Sequence, residues 1–257
     1  MVDVTKKQKK GSRTMKKIVT LLVAALMVIG SVGGNGNVFI SQAKTVDVST
    51  LKKEGSCITS GKTAYYVESK AEKTVLYKCD LSGNNSKKVN TYAKNVRISA
   101  IYNKKLYFTT GSETDGYKTY VSGNYGKGKL KLEKKDLKIY SYKGKYMVGV
   151  SYESPDVSPA MLCVYNAKTK KKQELGEGYS PKIYGNKVFY VSLNKKTNGF
   201  VVASSKLGST KKTTLATFPK SVKYYVHVDS LTNHKVKYSY EKITDNGTKM
   251  FTKTLKY

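Results

Sequence analysis

The feature that most constrains the fold is a motif that returns at intervals of 40 to 48 residues along the chain. In each copy a short turn containing Gly, Asn or Lys leads into a strand-like segment, as in Gly61 to Tyr66 (GKTAYY). Equivalent positions follow one another at steps of 42, 40, 42 and 48 residues, at Ala64, Leu106, Tyr146, Val188 and Val236. A period of about 40–45 residues with four strands per period is typical of β-propeller blades.

The repeats predict an all-β protein with a single domain over residues 44–257, a β-propeller of about five four-stranded blades. The fifth repeat offers only three strand-like segments, while Val46–Leu51 forms a spare segment ahead of the first repeat. We therefore expect Val46–Leu51 to act as a strand that completes the fifth blade and closes the ring, because closure protects exposed strand edges. The alternatives are a six-bladed or incomplete propeller and a β-sandwich.

Residues 61–66 and 76–89 carry the clearest copy of the motif, reading Gly-x-x-apolar-Tyr-Tyr and then Leu-Tyr-Lys-x-Asp-Leu-Ser-Gly-Asn-Asn-x-Lys-Lys-apolar. This copy resembles the low-density-lipoprotein-receptor-like (YWTD/TolB-type) propeller repeats, which uncharacterised secreted proteins of Gram-positive bacteria also carry. The resemblance covers most of residues 57–257. It implies a binding scaffold and supplies no catalytic residues. Families of this kind usually have six blades, whereas five repeats are counted here.

The first 43 residues are predicted to be a secretory signal peptide and not part of the fold. Lys16 and Lys17 precede an apolar run from Ile18 to Ile29, which is shorter than the roughly 20 residues of a membrane span. Residues 1–14 are interpreted as an upstream mis-start, with Met15 as an alternative first residue. We expect a secreted protein, associated with the cell wall and without a transmembrane anchor in its mature chain.

The chain is strongly basic, with 48 Lys+Arg against 17 Asp+Glu and a formal charge of +31. Removal of residues 1–43 takes away seven basic residues and one acid, which leaves +25. Such a field favours anionic partners. The expected partners are an anionic cell-wall polymer, a glycan or an extracellular protein. Nucleic acid is not expected, since secretion argues against it.

The sequence contains no catalytic signature, so we predict that the protein is not an enzyme and binds no cofactor or metal. His227 and His234 are its two histidines, and a nucleophile elbow, a zinc-ligand spacing and a phosphate-binding loop are all missing from the sequence. The predicted inner strands contain no Asp or Glu, which argues against a glycosidase; these strands are Cys57–Thr59, Val96–Ala100, Lys138–Ser141, Pro181–Tyr184 and Val222–Tyr225. The alternatives are a glycan hydrolase or lyase and a scaffold for protein–protein contacts.

Lysines and acids fall into different sets of predicted turns. The third-to-fourth-strand turns carry the candidate polyanion-binding residues Lys87, Lys88, Lys127, Lys129, Lys170, Lys171, Lys172, Lys211 and Lys212. The opposite loops carry the acids Glu68, Glu113, Asp115, Glu153, Asp156, Glu241 and Asp245. Lysine is a flexible point charge that suits diffuse polyanions. The sequence therefore predicts a disc with one basic face for anionic polymer and an opposite face of loops for a glycan or protein.

Overall fold

A computed structural model describes residues 45–112, 115–151, 160–194, 196–197, 199–218, 226–244 and 247–257 of the chain. Strand pairing groups the strands of these residues into four antiparallel sheets of four, four, seven and three strands. In the part of the chain that the structure describes, no helix has the length and apolar character needed to cross a bilayer.

The first two sheets each match one predicted four-stranded repeat. The first sheet contains β1 (Cys57–Ser60), β2 (Thr63–Lys70), β3 (Lys73–Asp80) and β4 (Lys87–Tyr92) in that order. The second sheet contains β5 (Arg97–Tyr102), β6 (Lys105–Ser112), β7 (Gly116–Ser122) and β8 (Lys131–Lys135). A single turn, α2 (Gly123–Gly126), connects β7 to β8.

The third and fourth repeats merge into one seven-stranded sheet, the long sheet. Its strands are β9 (Lys138–Lys143), β10 (Tyr146–Ser151), β11 (Met161–Asn166), β12 (Lys171–Tyr184), β13 (Lys187–Asn194), β14 (Gly199–Lys206) and β15 (Lys212–Phe218). The first half of β12 pairs with β11 and its second half with β13. Gly176 and Ser180 adopt positive φ angles of 101° and 54° where the strand changes partner.

The fifth repeat forms the terminal sheet, which contains three strands in the described residues. These are β16 (Val226–Thr232), β17 (Lys235–Thr244) and β18 (Gly247–Lys256). The fifth inner strand predicted at Val222–Tyr225 lies outside the described residues, and β16 starts directly after it. Residues of β18 are exposed at almost every position, so this edge strand contributes little to the core.

Apolar side chains fill the spaces between successive four-stranded units. Leu76 and Tyr92 of the first sheet meet Phe108 of the second, and Tyr107 of the second meets Met147 of the long sheet. Two further clusters continue the series, one inside the long sheet around Leu162, Val164, Val188 and Tyr190 and one between the long and terminal sheets around Phe189, Val202, Val226 and Tyr238. The described residues thus form an all-β structure whose sheets pack on one another through apolar side chains, as predicted, while a closed ring of five blades is not seen among them.

The segment Val46–Leu51 does not form the predicted closing strand, and that prediction is wrong. Its residues begin helix α1 (Val48–Lys53), which is capped by Asp47. Val48 packs on Ala64, Tyr66 and other residues of the first sheet's outer face. Among the described residues, no strand of the first sheet pairs with the terminal sheet. The helix therefore covers the face of the first sheet that would pack against the last blade in a closed ring.

The three cysteines are free and buried. Cys57 lies on β1 and Cys79 on β3, with β2 between them in the sheet. Strands lie about 4.8 Å apart, so the two Cα atoms are separated by more than a disulfide permits. A Cys57–Cys79 bridge would therefore require the sheet to rearrange.

Candidate functional site

The candidate lysines lie at the same end of each four-stranded unit. Neighbouring strands are antiparallel, so the first-to-second and third-to-fourth turns of a unit share one end. In the long sheet, the first half of β12 is the fourth strand of one unit and its second half is the first strand of the next unit. We call this end of each unit the turn face. Its candidate residues occupy the start of β4 (Lys87, Lys88), the β7–β8 connection (Lys127, Lys129), the turn before β12 and its start (Lys170, Lys171, Lys172) and the start of β15 (Lys211, Lys212).

Three of the nine lysines are engaged within the protein. Lys170 pairs with Glu133 of the neighbouring sheet. Lys172 donates a hydrogen bond to Ser151 Oγ (2.7 Å) and lies 3.5 Å from a carboxylate oxygen of Glu174. Lys212 reaches Ser192 Oγ at 3.4 Å. The other six are exposed to solvent, namely Lys87, Lys88, Lys127, Lys129, Lys171 and Lys211.

Glu133 is held by two groups at once. Its Oε1 accepts a hydrogen bond from the hydroxyl of Tyr165 (2.5 Å) as well as the Lys170 pair. Burial, followed by the hydrogen bond to Glu133, raises the pKa of Tyr165, so the phenol stays a donor. Sequence reasoning had assigned Lys170 to ligand binding, and the structure shows that part of its charge is used to balance Glu133.

The predicted acidic loops are only partly described. Glu68 lies half-buried near the end of β2, Glu241 is half-buried in β17, and Asp115 accepts a hydrogen bond from Ser112 Oγ (2.7 Å) just before β7. Four further acids lie outside the described residues, namely Glu113, Glu153, Asp156 and Asp245. Within the described ranges, no group of three His, Cys, Asp or Glu side chains is arranged to hold a metal ion.

The inner strand of the terminal sheet carries an acid that sequence reasoning missed. Strand β16 starts at Val226 and includes Asp229, so the statement that no inner strand contains Asp or Glu is wrong. Asp229 Oδ1 accepts a hydrogen bond from Ser239 Oγ (2.8 Å), and its carbonyl oxygen accepts one from Lys182 Nζ (2.5 Å). The predicted segment Val222–Tyr225, which lies outside the described residues, stops before Asp229.

Basic residues at the starts of the inner strands were also missed. Arg97 of β5, Lys138 of β9 and His227 of β16 each pair with the fifth residue of the following strand, so they occupy equivalent heights. Lys138 Nζ donates to Tyr117 Oη (3.0 Å) and lies 5.0 Å from the ring centre of Tyr140. The 41-residue step from Arg97 to Lys138 was the sequence signal for this row.

Burial by itself lowers the pKa of Lys138. The hydrogen bond to Tyr117 and the interaction with Tyr140 outweigh that effect, so the pKa ends above its ordinary value. The ammonium group therefore remains charged at the inner edge of the sheets. An anion approaching this edge would meet a fixed positive charge.

Comparison with solved structures identifies the fold. The chain is similar to a prolyl endopeptidase, with a TM-score of 0.54 and 13% identity over 77% of this chain and 33% of the endopeptidase. It is also similar to the β-propeller domain of the Trilobed protease from Pyrococcus furiosus, with a TM-score of 0.51 and 10% identity over 78% of this chain and 69% of that one. These similarities, together with the packed sheets, show a fold of the β-propeller type.

TolB from Acinetobacter baumannii matches with 14% identity and a TM-score of 0.43, over 75% of this chain and 52% of TolB. The chain thus spans about half of TolB and a third of the prolyl endopeptidase. No protein-family model matches the sequence, and no curated protein matches it either.

The prediction that the protein is not an enzyme is wrong. It treated the lack of a catalytic motif in the sequence as excluding catalysis, but the same fold occurs in a prolyl endopeptidase and in a domain of a protease. A fold of this kind serves in enzymes as well as elsewhere, and function has to be argued from the site.

Proposed function

We propose that this protein is an exported β-propeller domain whose turn face binds an anionic polymer of the cell surface. The observation that carries the proposal is the set of six exposed lysines at the same end of successive units. The ion pairs found among the described residues use Lys170 and Lys172, so the charge of these six is directed to solvent. The basic segment and apolar run of residues 16–29 support export.

The spacing of the lysines suits a long and flexible partner. Lys87 and Lys88 belong to the first sheet, whereas Lys171 and Lys211 belong to the two halves of the long sheet. A polymer carrying one negative charge per unit can contact several of these turns together and release its counterions on doing so. Each exposed contact is weak by itself, so affinity would come from their number and would fall as salt is added.

Co-sedimentation with purified Gram-positive cell walls, at increasing salt, tests the proposal. The test variant changes Lys87, Lys88, Lys171 and Lys211 to Gln. The control variant removes the same number of exposed lysines away from the turn face, namely Lys70, Lys73, Lys196 and Lys249. Both variants have equal net charge, so a difference between them reports the position of the charge and not its amount.

We expect the unchanged protein and the control variant to sediment with the walls at low salt and to be released at high salt. The test variant should remain in the supernatant under the same conditions. Equal sedimentation of the two variants would contradict the proposal, and so would binding that does not respond to salt. Thermal melting of each variant shows whether the substitutions leave the fold intact.

A further inference from the structure

A groove of about 400 Å³ runs between the outer strand of the first sheet and the turn that links β7 to β8. All nine residues that line it are described, and three of them are lysines while none is acidic. The lysines are Lys94, Lys127 and Lys129, and the half-buried side chains of Tyr120 and Leu130 form part of the wall. The volume lies within the range of pockets that bind small molecules.

The turn that presents Lys127 and Lys129 begins with two residues in the left-handed region, Asn124 and Tyr125, with φ angles of 49° and 54°. Asn103 and Lys104 in the β5–β6 turn also have positive φ angles, and tight turns of this kind require them at both central positions. Residues other than Gly adopt this conformation at an energetic cost.

Contacts from the first sheet hold the turn in place. The side-chain amide of Asn90 donates to the carbonyl oxygens of Gly126, Lys127 and Gly128 at 2.9, 3.2 and 3.1 Å. The hydroxyl of the buried Tyr92 donates to the same Gly126 oxygen at 2.6 Å. These bonds cross from one sheet to the next, so the backbone carrying the two lysines is fixed before any ligand arrives.

The other side of the turn is equally constrained. The ring of Tyr125 stacks on Tyr65, with 5.9 Å between ring centres and an interplanar angle of 4°. Gly126 has a φ of +87°, and a Cβ at this position would lie 2.2 Å from Leu76 Cδ2. The turn therefore packs against the first sheet at both Tyr125 and Gly126, and a larger side chain at Gly126 would displace it.

The third lysine that lines the groove does not belong to this turn. Lys94 follows β4 and donates to Tyr120 Oη at 3.0 Å, with its ammonium nitrogen 4.8 Å from the centre of the same ring. Its charge is thus held near the groove wall by an aromatic side chain. A ligand would lie in a groove lined by Lys94, Lys127 and Lys129 together.

We propose that this groove binds one acidic unit of the polymer, a carboxylate or phosphate carried on a sugar or polyol. The inference rests on the proposed function and adds to it a shaped subsite between the first and second sheets. Three lysines and no acid line the groove, and charge-assisted hydrogen bonds from such a lining favour an anionic group. The Tyr120 and Leu130 side chains would contact the carbon skeleton of the unit. Binding through the charge of the turn face alone would not need these contacts.

Short ligands distinguish the groove from the turn face. The probes are a uronic-acid trimer, a glycerol-phosphate trimer and a neutral hexose trimer, measured by titration calorimetry. The groove variant changes Lys94, Lys127 and Lys129 to Gln, and the control variant changes Lys87 and Lys88 to Gln. We expect one or both acidic trimers to bind the unchanged protein, the neutral trimer to fail, and the groove variant to bind at least about tenfold more weakly.

The control variant should bind the acidic trimers as the unchanged protein does while sedimenting less with cell walls. Failure of both acidic trimers to bind the unchanged protein would overturn the groove site, and wall sedimentation would still decide the turn face separately. Full trimer binding by the groove variant would overturn it too. Lysine acetylation of the unchanged protein gives an independent readout, since a bound trimer should slow labelling of Lys94, Lys127 and Lys129 and leave Lys88 unaffected.

Discussion

The backbone amide of Val46 donates a hydrogen bond to the carbonyl oxygen of Gly83 at 3.0 Å. This bond ties the segment before α1 to the β3–β4 turn of the first sheet. It directs the helix across the sheet's outer face, where Val48 and Leu51 contact Cys57 and Tyr66. The first sheet is therefore covered by α1, the helix that directly precedes it in the chain.

Replacing Val48 with Asp should uncover the thiols beneath α1. Val48 is 6% exposed, and a carboxylate there would be buried without a partner, which should lower the free energy of unfolding by about 2–4 kcal/mol. Burial, followed by the effect of Cys79, raises the pKa of Cys57 to about 11. Loss of the helix would bring that pKa back toward its ordinary value and speed reaction of Cys57 with a thiol reagent.

Cys163 is the internal control for this experiment. It lies in a different cluster, and burial raises its pKa to about 12. We expect its labelling rate to stay unchanged in the Val48→Asp protein. Equal acceleration at all three cysteines would mean that the substitution unfolds the domain, and no acceleration at Cys57 would contradict the covering role of α1.

Asp47 should stabilise α1 in a pH-dependent way. Its carboxylate accepts hydrogen bonds from the backbone of Ser49 and Thr50 at 2.9 and 3.1 Å and from both of their hydroxyls. The bonds from Thr50 and then Ser49 hold the pKa of Asp47 well below its ordinary value of 3.8. A lowered pKa gives stability that is present above the unfolded value and is lost as pH falls through the folded one.

Asp47→Ala should therefore melt at a lower temperature than the unchanged protein at neutral pH. The difference should shrink as pH falls below the unfolded pKa, near 3.8, toward the lower folded pKa. Asp47→Asn serves as the control, since the amide oxygen still caps the helix and the pH-dependent part should vanish. If the difference in melting temperature between Asp47→Ala and the unchanged protein stays constant with pH, the pH-dependent role of Asp47 is contradicted.

Gly83→Ala should destabilise the domain through a steric clash. The residue has a φ of +86°, and an added Cβ would lie 1.7 Å from the carbonyl oxygen of Val46. We expect the backbone strain of about 1–2 kcal/mol and the clash of about 1–3 kcal/mol to add, so that the unfolding free energy measured with urea falls by roughly 2–5 kcal/mol. Gly61→Ala is the matched control, with a φ of +56° and no atom within 4 Å of the new Cβ, so its loss should be limited to the backbone strain of about 1–2 kcal/mol. Equal losses would contradict the clash.

Glu133→Ala and Lys170→Ala should each destabilise the domain, because each leaves a group without its partner. The first change leaves the hydroxyl of Tyr165 without the acceptor it uses at 2.5 Å, at about 1–3 kcal/mol. The second leaves the carboxylate of Glu133, whose side chain is 8% exposed, without its cation, also at about 1–3 kcal/mol. The double variant, measured by urea unfolding, should lose less than the sum of the two single losses, since both act on Glu133; additive losses would contradict this coupling.

Strand positions within the repeats could be predicted because turn residues and aromatic strands recur with a fixed period. The second strands beginning near Lys105, Tyr146 and Lys187 lie where the motif places them. The helix at Val48–Lys53 could not be predicted, because its Val, Ser and Thr residues favour extended structure locally. Packing on the first sheet decides that the segment is helical. For the site, sequence located the lysines but not their partners. Glu133 and Ser151 reach Lys170 and Lys172 only after the sheets pack and twist.

Strand β12 gives the molecule an uneven division into cooperative units. The first half of its 14 residues pairs with the third repeat and the second half with the fourth, so the two repeats are joined by a continuous strand. They also share one apolar core around Leu162, Val164, Val188 and Tyr190. The first and second sheets share no strand. Native-state hydrogen exchange should therefore resolve Met161–Asn166 and Lys187–Asn194 as one foldon with a common opening free energy, while the first sheet exchanges as a separate one.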